Sequence, residues 1–264
     1  MSFTISTVKG KQDLETFLQV PYRIYRDDPN QVYPLLDEMK HFFDREKNPF
    51  FNHAVAEQWI ARDDSGTVVG RIAATVDKYN NEHQKEEVGF FGFYEADDNI
   101  ELAHLLLDTA RNWIAEQGME TMRGPGCFTS NHDWFGVQVD GLFSRPVVGM
   151  PYNPQYYQQH FEAFGLIKAK DLFAWHMESN GELPPKIQRM IDRVIERPGL
   201  VLRNIDMSHF DEEASLLRSL YNESWSQNWG FIPMDDADFA YSAKDLKSMV
   251  DPAYILIAEM DGKP

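Results

Sequence analysis

A chain of 264 residues with 43% hydrophobic and 13% aromatic side chains is long enough for one large or two smaller globular domains with a sizeable core. Its 25 basic and 42 acidic residues leave a formal charge of -17, which argues against nucleic acid and anionic membrane surfaces as partners. A single cysteine, Cys127, no run long enough for a bilayer span, and no apolar signal-peptide core in MSFTISTVKGK point to the cytoplasm.

In chain order, FTISTVKG (3–10) alternates as a strand does, and KQDLETFLQVPYRIY has helical apolar spacing until Pro21 kinks or ends it. LLDEMKHFFD is a second short helix. Residues 56–77 read as a hairpin around Asp63-Asp64-Ser65-Gly66, and EEVGFFGFYEA as the next strand. The helix that follows puts Leu102, Leu105, Leu106, Ala110, Trp113 and Ile114 on one stripe and stops at Gly118. METMRGP is a strand that enters an irregular glycine-rich loop, 124–152. NPQYYQQHFEAFG is then a short helix and LIKAKDLFAWHME a closing strand.

This order, with the stretches FFGFYE, RGP, YNPQYY and YNESWSQNWGFIP, resembles the GNAT superfamily of acyl-CoA-dependent N-acyltransferases, and its bacterial tandem members in particular. The resemblance spans nearly the whole chain and implies an α/β fold, a mixed central β-sheet flanked by helices. It implies that the strand at 88–95 splays from its neighbour, so that the pantetheine of acetyl-CoA or another acyl-CoA lies in the gap against Phe91, Gly92, Phe93 and Tyr94. Such enzymes often carry a tyrosine in the helix after the loop to protonate the departing thiolate. Tyr157 matches it better than Tyr156 and is one catalytic candidate; Asn131, beside His132 and Asp133 in the loop after RGP, is the other. The plainer readings are packing or capping for the tyrosines and turn stabilisation for the polar loop.

A repeat needs no family knowledge. Residues 200–225 repeat the strand-then-helix opening of 3–25, and YILIAEMDGKP repeats QWIARDDSGTV; Ile60-Ala61 matches Ile257-Ala258 and Ile5 falls on Leu202 at one shared offset of 197. The expected organisation is a GNAT-like domain at 1–178, a partly helical connector at 179–199, and the beginning of a second copy at 200–264. By the same offset the second copy should run to about residue 373, so the sequence reads as truncated. The apolar AYILIA cannot stay a bare edge; pairing with a second chain as a homodimer, folding against the first domain, and residues beyond 264 are the three ways to satisfy it, the last being preferred.

In the first copy the loop that should cradle pyrophosphate is Glu95-Ala96-Asp97-Asp98-Asn99, with no glycine. Asp98 and Glu101 have capping-box spacing and would satisfy the helix's N–H groups internally. Helix-dipole attraction of about 0.3 to 1 kcal/mol loses to like-charge repulsion of roughly 3 kcal/mol at 5 Å, so weak acetyl-CoA binding is expected. A cofactor shifted onto Lys168 and Lys170 is the exception; a solvated strand face is the plainer reading. No metal site is expected, because the eight histidines show no ligand spacing, and no Gly-x-Ser-x-Gly elbow supports a serine hydrolase. Asn222, Trp225 and Trp229 are candidates for binding a small-molecule amine or aromatic substrate, against a core role for the tryptophans. Two functions remain: an N-acyltransferase moving acetyl from acetyl-CoA to an amine, with its working cofactor site in the second copy, and a non-catalytic ligand-binding or scaffolding module.

Overall fold

The computed structural model describes residues 2–128, 135–141, 144–147, 149–176, 183–249 and 251–264, with backbone alone for 244–249. The chain divides into two compact units: Met1–Lys170 with Asn228–Ile232, and Asp171–Gln227 with Pro233–Pro264.

The first unit is built from β1 (Phe3–Thr7), α1 (Gly10–Ile24), α2 (Leu36–Phe42), β2 (Ala54–Asp63), β3 (Val68–Asp77), α3 (Lys78–Gln84), β4 (Val88–Ala96), α4 (Ile100–Glu116), β5 (Thr121–Arg123) and α5 (Tyr156–Phe164). The five strands lie in sequence order; β1 to β4 are antiparallel and β5 runs parallel to β4. This is the mixed sheet that the resemblance implied. The period-2 alternation of β2 sends Trp59 and Ala61 to one face and Ala54, Ala56 and Ile60 to the other. Leu102, Leu106, Leu107 and Ile114 of α4 and Tyr157 and Phe161 of α5 cover the first face. Phe17 of α1, Met39 of α2, and Phe43, Phe50 and Phe128 cover the second. Each fully buried leucine or phenylalanine contributes about 2 kcal/mol.

Local signals explain the element ends. α1 outlasts Pro21 by only three residues, and Tyr25 N–H bonds the Pro21 carbonyl at 2.9 Å. Gly118, at φ +84°, ends α4, with Met119 N–H returning to the Ile114 carbonyl. The cap at the start of α4 is Asn99, whose side chain accepts from Leu102 N–H, and not the expected Asp98. Capping requires only a short side-chain oxygen two or three residues before the free N–H, and two adjacent residues offered one.

The expected closing strand is absent: residues 166–176 pair with no strand among the described residues, and Ile167 and Trp175 are 91 and 90% exposed. β-branched and aromatic composition is met there, but a strand exists only where a neighbour supplies its ladder.

In β4, one extra residue shifts the pairing with β3 between Arg71 and Ala73, and Phe93 takes a left-handed φ of +47°. The bulge switches parity. Phe91 faces α4 and α5 before it, Tyr94 and Ala96 after it, while Phe93 turns to the phenylalanine cluster on the opposite face.

The second unit holds α6 (Pro185–Ile195), β6 (Leu200–Asn204), α7 (Phe210–Trp225), α8 (Asp236–Met249) and β7 (Leu256–Met260). β6 pairs with β7 from Leu200↔Met260 to Asn204↔Leu256, and β1 pairs with β2 from Phe3↔Asp63 to Thr7↔Trp59. Every pair in the second ladder lies 197 residues after its counterpart in the first. The strand expected from Tyr254 begins only at Leu256, because Pro252–Tyr254 form a helical turn; β6 pairs Leu256–Met260 along one side, and Asp261 and Gly262 turn the chain with φ of +52° and +75°.

At Gly92 a Cβ would sit 1.4 Å from the Gly126 carbonyl oxygen, a backbone atom that cannot swing aside. Gly92→Ala is expected to cost about 3 kcal/mol by overpacking, read as a shifted midpoint in urea unfolding; an unshifted midpoint would mean that the strand and the loop at 124–126 separate freely.

Candidate functional site

The place where the fold would hold a pantetheine arm is the edge of β4 facing β5. Pairing with β5 covers only Val88 to Phe90, after which Gly126 N–H bonds the Phe91 carbonyl at 2.9 Å and the Gly126 backbone lies on Gly92. The chain thus follows β4 through two of the four positions expected to face the cofactor. Beyond the bulge, α5 takes over. Tyr157 Oη accepts from Ala96 N–H at 3.0 Å, and Tyr156 Oη donates to the Ala96 carbonyl at 2.9 Å. Both polar groups of this backbone unit are satisfied from within the protein. Tyr94, the fourth expected cofactor contact, is buried and its hydroxyl bonds His160 Nδ1 at 2.8 Å.

Tyr157 also donates its proton to Glu95 Oε2 at 2.7 Å. Arg71 Nη2 lies 3.7 Å from Glu95 Oε1, the Tyr25 hydroxyl stands near the same carboxylate, and Arg71 Nη1 donates to the Phe17 carbonyl at 3.0 Å. The Arg71 guanidinium stacks 4.8 Å over the Phe17 ring. Burial pushes the Glu95 carboxyl up, against the pull of Arg71 and the two tyrosines, and burial next to Glu95 pushes Tyr157 well above the ordinary phenol value. A phenol so placed holds its proton. In this structure the Tyr157 proton is directed at Glu95.

In the acidic loop after β4, Asp97 has a cationic partner and Asp98 a buried imidazole that is less basic than usual. Asp97 Oδ1 pairs with Arg23 Nη2 at 2.6 Å, and Asp98 Oδ1 lies 3.4 Å from Nε2 of the fully buried His160. Arg23 offsets part of the loop's negative charge at Asp97, and a pyrophosphate there would have to displace it. Among the described residues, this edge has both polar groups of Ala96 occupied and carboxylates at the loop, a poor fit there for a coenzyme A pantetheine and pyrophosphate.

Asn131, with His132 and Asp133, lies outside the described residues. Asn222 and Trp225 belong to the second unit, where both ends of the Asn222 amide clamp the backbone of Met234, at 3.1 Å to its carbonyl and 3.0 Å from its N–H. Its hydrogen-bonding capacity is spent on a turn. Trp225 is exposed and stacks on Tyr221. Trp229 belongs to the first unit, with Arg123 at 5.4 Å and Lys170 at 5.3 Å from its ring. Both tryptophans are exposed, Trp225 by 51 and Trp229 by 40%, and are not core. The Arg71–Glu95 pair was missed by sequence reasoning, since nothing in either residue's neighbourhood announces a partner 24 positions away.

The chain matches no family model. It is 33% identical over 261 residues to the protein YghO of Escherichia coli strain K12, covering 98% of this chain and 66% of that one. It is also 33% identical over 261 residues to the bacterial ceramide synthase of Caulobacter vibrioides, covering 98% of this chain and 67% of the synthase. The chain spans about two thirds of the length of these curated relatives. Among solved structures, a GCN5-related glucosamine N-acetyltransferase region of a fungal multi-domain β-N-acetylglucosaminidase shares the fold at TM-score 0.53 and 16% identity, over 98% of this chain and 26% of that one. A tandem GNAT protein from the clavulanic acid biosynthesis pathway shares it at TM-score 0.52 and 12% identity, over 94% of this chain and 66% of that one.

Two outcomes follow from the geometry. Glu95→Ala strands the buried Arg71 cation and is expected to cost about 3 kcal/mol in chemical denaturation, while Arg71→Met with Glu95→Gln recovers most of the loss; equal costs for single and double variants would dissolve the pair. Burial lowers His160 from its ordinary 6.5 more than Asp98 raises it. The unfolded chain then takes up this proton first, so stability present at neutral pH is lost as pH falls from about 6.5 toward the lower folded value. The thermal midpoint should fall less steeply between pH 7.5 and 5.5 in His160→Gln, and parallel profiles would remove His160 from the account.

Proposed function

From the premise that this chain belongs to the GNAT superfamily, in the family of the bacterial ceramide synthase of Caulobacter vibrioides, we propose that it is part of an acyl-CoA-dependent N-acyltransferase whose first unit is a non-catalytic copy of the fold. The observation that carries this reading is the double engagement of Ala96 by Tyr156 and Tyr157, which fills the strand edge a pantetheine would otherwise bond. The working cofactor site then falls to the second copy, which begins with the β6–β7 ladder.

By its name, the Caulobacter relative makes a ceramide, an amide of a long-chain amino alcohol. We carry that substrate class over: a long-chain amine as acceptor and a long-chain acyl-CoA, or acetyl-CoA, as donor. The amine nitrogen attacks the thioester carbonyl, an amide C–N bond forms, the C–S bond breaks, and coenzyme A leaves as the thiol with the proton the amine gives up. No step of this transfer is assigned to the first unit.

Calorimetric titration of this chain with acetyl-CoA and with palmitoyl-CoA at low salt is expected to give no binding tighter than about 100 µM. The protein expressed from its natural gene is expected to form an amide from palmitoyl-CoA and a long-chain 2-amino alcohol, read by mass, with Tyr157→Phe keeping the rate within about threefold of wild type. Micromolar affinity in this chain would show a working first site, and loss of turnover in Tyr157→Phe with the fold intact would return that residue to the chemistry.

A further inference from the structure

α6 has the sequence PKIQRMIDRVI, and none of its residues is buried. Ile187, Met190, Val194 and Ile195 are 38, 56, 42 and 53% exposed. At 100° per residue these four, with Ile191, form one continuous apolar stripe along the helix. Lys186 and Arg193, at i and i+7, lie on one border of that stripe, and Arg197 follows two residues beyond the helix end. Arg189 lies further round, while Asp192 and Glu196 lie away from the cationic border. In a chain of formal charge -17, this segment carries four cations against two anions.

We propose that α6 is an interfacial anchor that lays its apolar stripe into the surface of an anionic lipid bilayer, with Lys186, Arg193 and Arg197 at the headgroup phosphates. Two features together select a bilayer. The exposed stripe seeks an apolar medium, and Lys186 and Arg193 on its border, with Arg197 just past the helix end, have long aliphatic stems that can lie in the interface while the charges reach the phosphates. Anionic lipid attracts juxtaposed basic side chains within about a Debye length, roughly 8 Å at physiological ionic strength. The same short range limits the opposition from the chain's total negative charge, the basis on which membranes were set aside in the sequence. The proposal stands apart from the acyl-transfer reading, since it rests on α6 alone.

The test is co-sedimentation of the whole chain with vesicles, either equimolar phosphatidylglycerol and phosphatidylcholine or phosphatidylcholine alone. The chain is expected to partition at least about tenfold more strongly into the anionic vesicles, and the preference should shrink as salt rises. Met190→Glu with Val194→Glu is expected to abolish sedimentation, and Lys186→Gln, Arg193→Gln and Arg197→Gln together to remove the anionic preference. The altered side chains are exposed, so an unchanged far-ultraviolet circular dichroism spectrum is expected and confirms that the fold is kept. Wild type that stays in the supernatant, or variants that sediment like wild type, would overturn the proposal. So would a wild-type dimer that ignores vesicles and is split to monomers by Met190→Glu with Val194→Glu, since a second copy would then cover the stripe.

Discussion

Arg71 and Glu95 face each other across β3 and β4 in the part of the sheet where water is scarce, and three elements of the first unit supply partners to the pair, although Arg71 Nε is left without one. Removing two charges from water is tolerable only when the remaining donors and acceptors find partners. The partners come from three separate elements: the Phe17 carbonyl and Tyr25 at α1 and its end, and Tyr157 of α5. Because Phe17 belongs to one hydrophobic cluster and Tyr157 to the other, the network passes around the edge of β4 and fixes both layers to the same strand.

That arrangement decides what the edge of β4 can do. In this superfamily the splay of two parallel strands is useful because it leaves backbone groups unpaired inside the protein, where a ligand can claim them. Here β5 is short, and beyond it two phenols and the Gly126 backbone bond the edge of β4. A fold can keep its architecture while its site is refilled with its own side chains, because packing tolerates the exchange as long as no polar group is orphaned.

Periodicity and turn chemistry carried most of the first unit's fold: the 56–77 hairpin, the apolar stripe of α4 and the stop at Gly118 are local facts that a neighbour-to-neighbour reading reaches. α3 escaped because KYNNEHQ has no apolar spacing; its one signal is Asp77, which accepts from Tyr79 N–H. The closing strand was misread for the opposite reason, since LIKAKDLFAWH has the composition of a strand but no ladder partner among the described residues. The site was the least legible. The acidic loop was visible, but that Arg23, Arg71 and His160 attend its carboxylates depends on register and on a left-handed φ at a phenylalanine, which no residue type signals.

The repeated ladder also bears on the order of folding. β1–β2 and β6–β7 each join residues about 60 positions apart, and closing a loop of that length costs about 4 kcal/mol of chain entropy before its contacts repay it. In the first unit three further strands share that cost. Among the described residues β6 and β7 pair only with each other, so their five-residue ladder should open more readily than the first unit's sheet. Amide protons of β6 should accordingly exchange with solvent well ahead of those of β3, which is hydrogen-bonded on both sides.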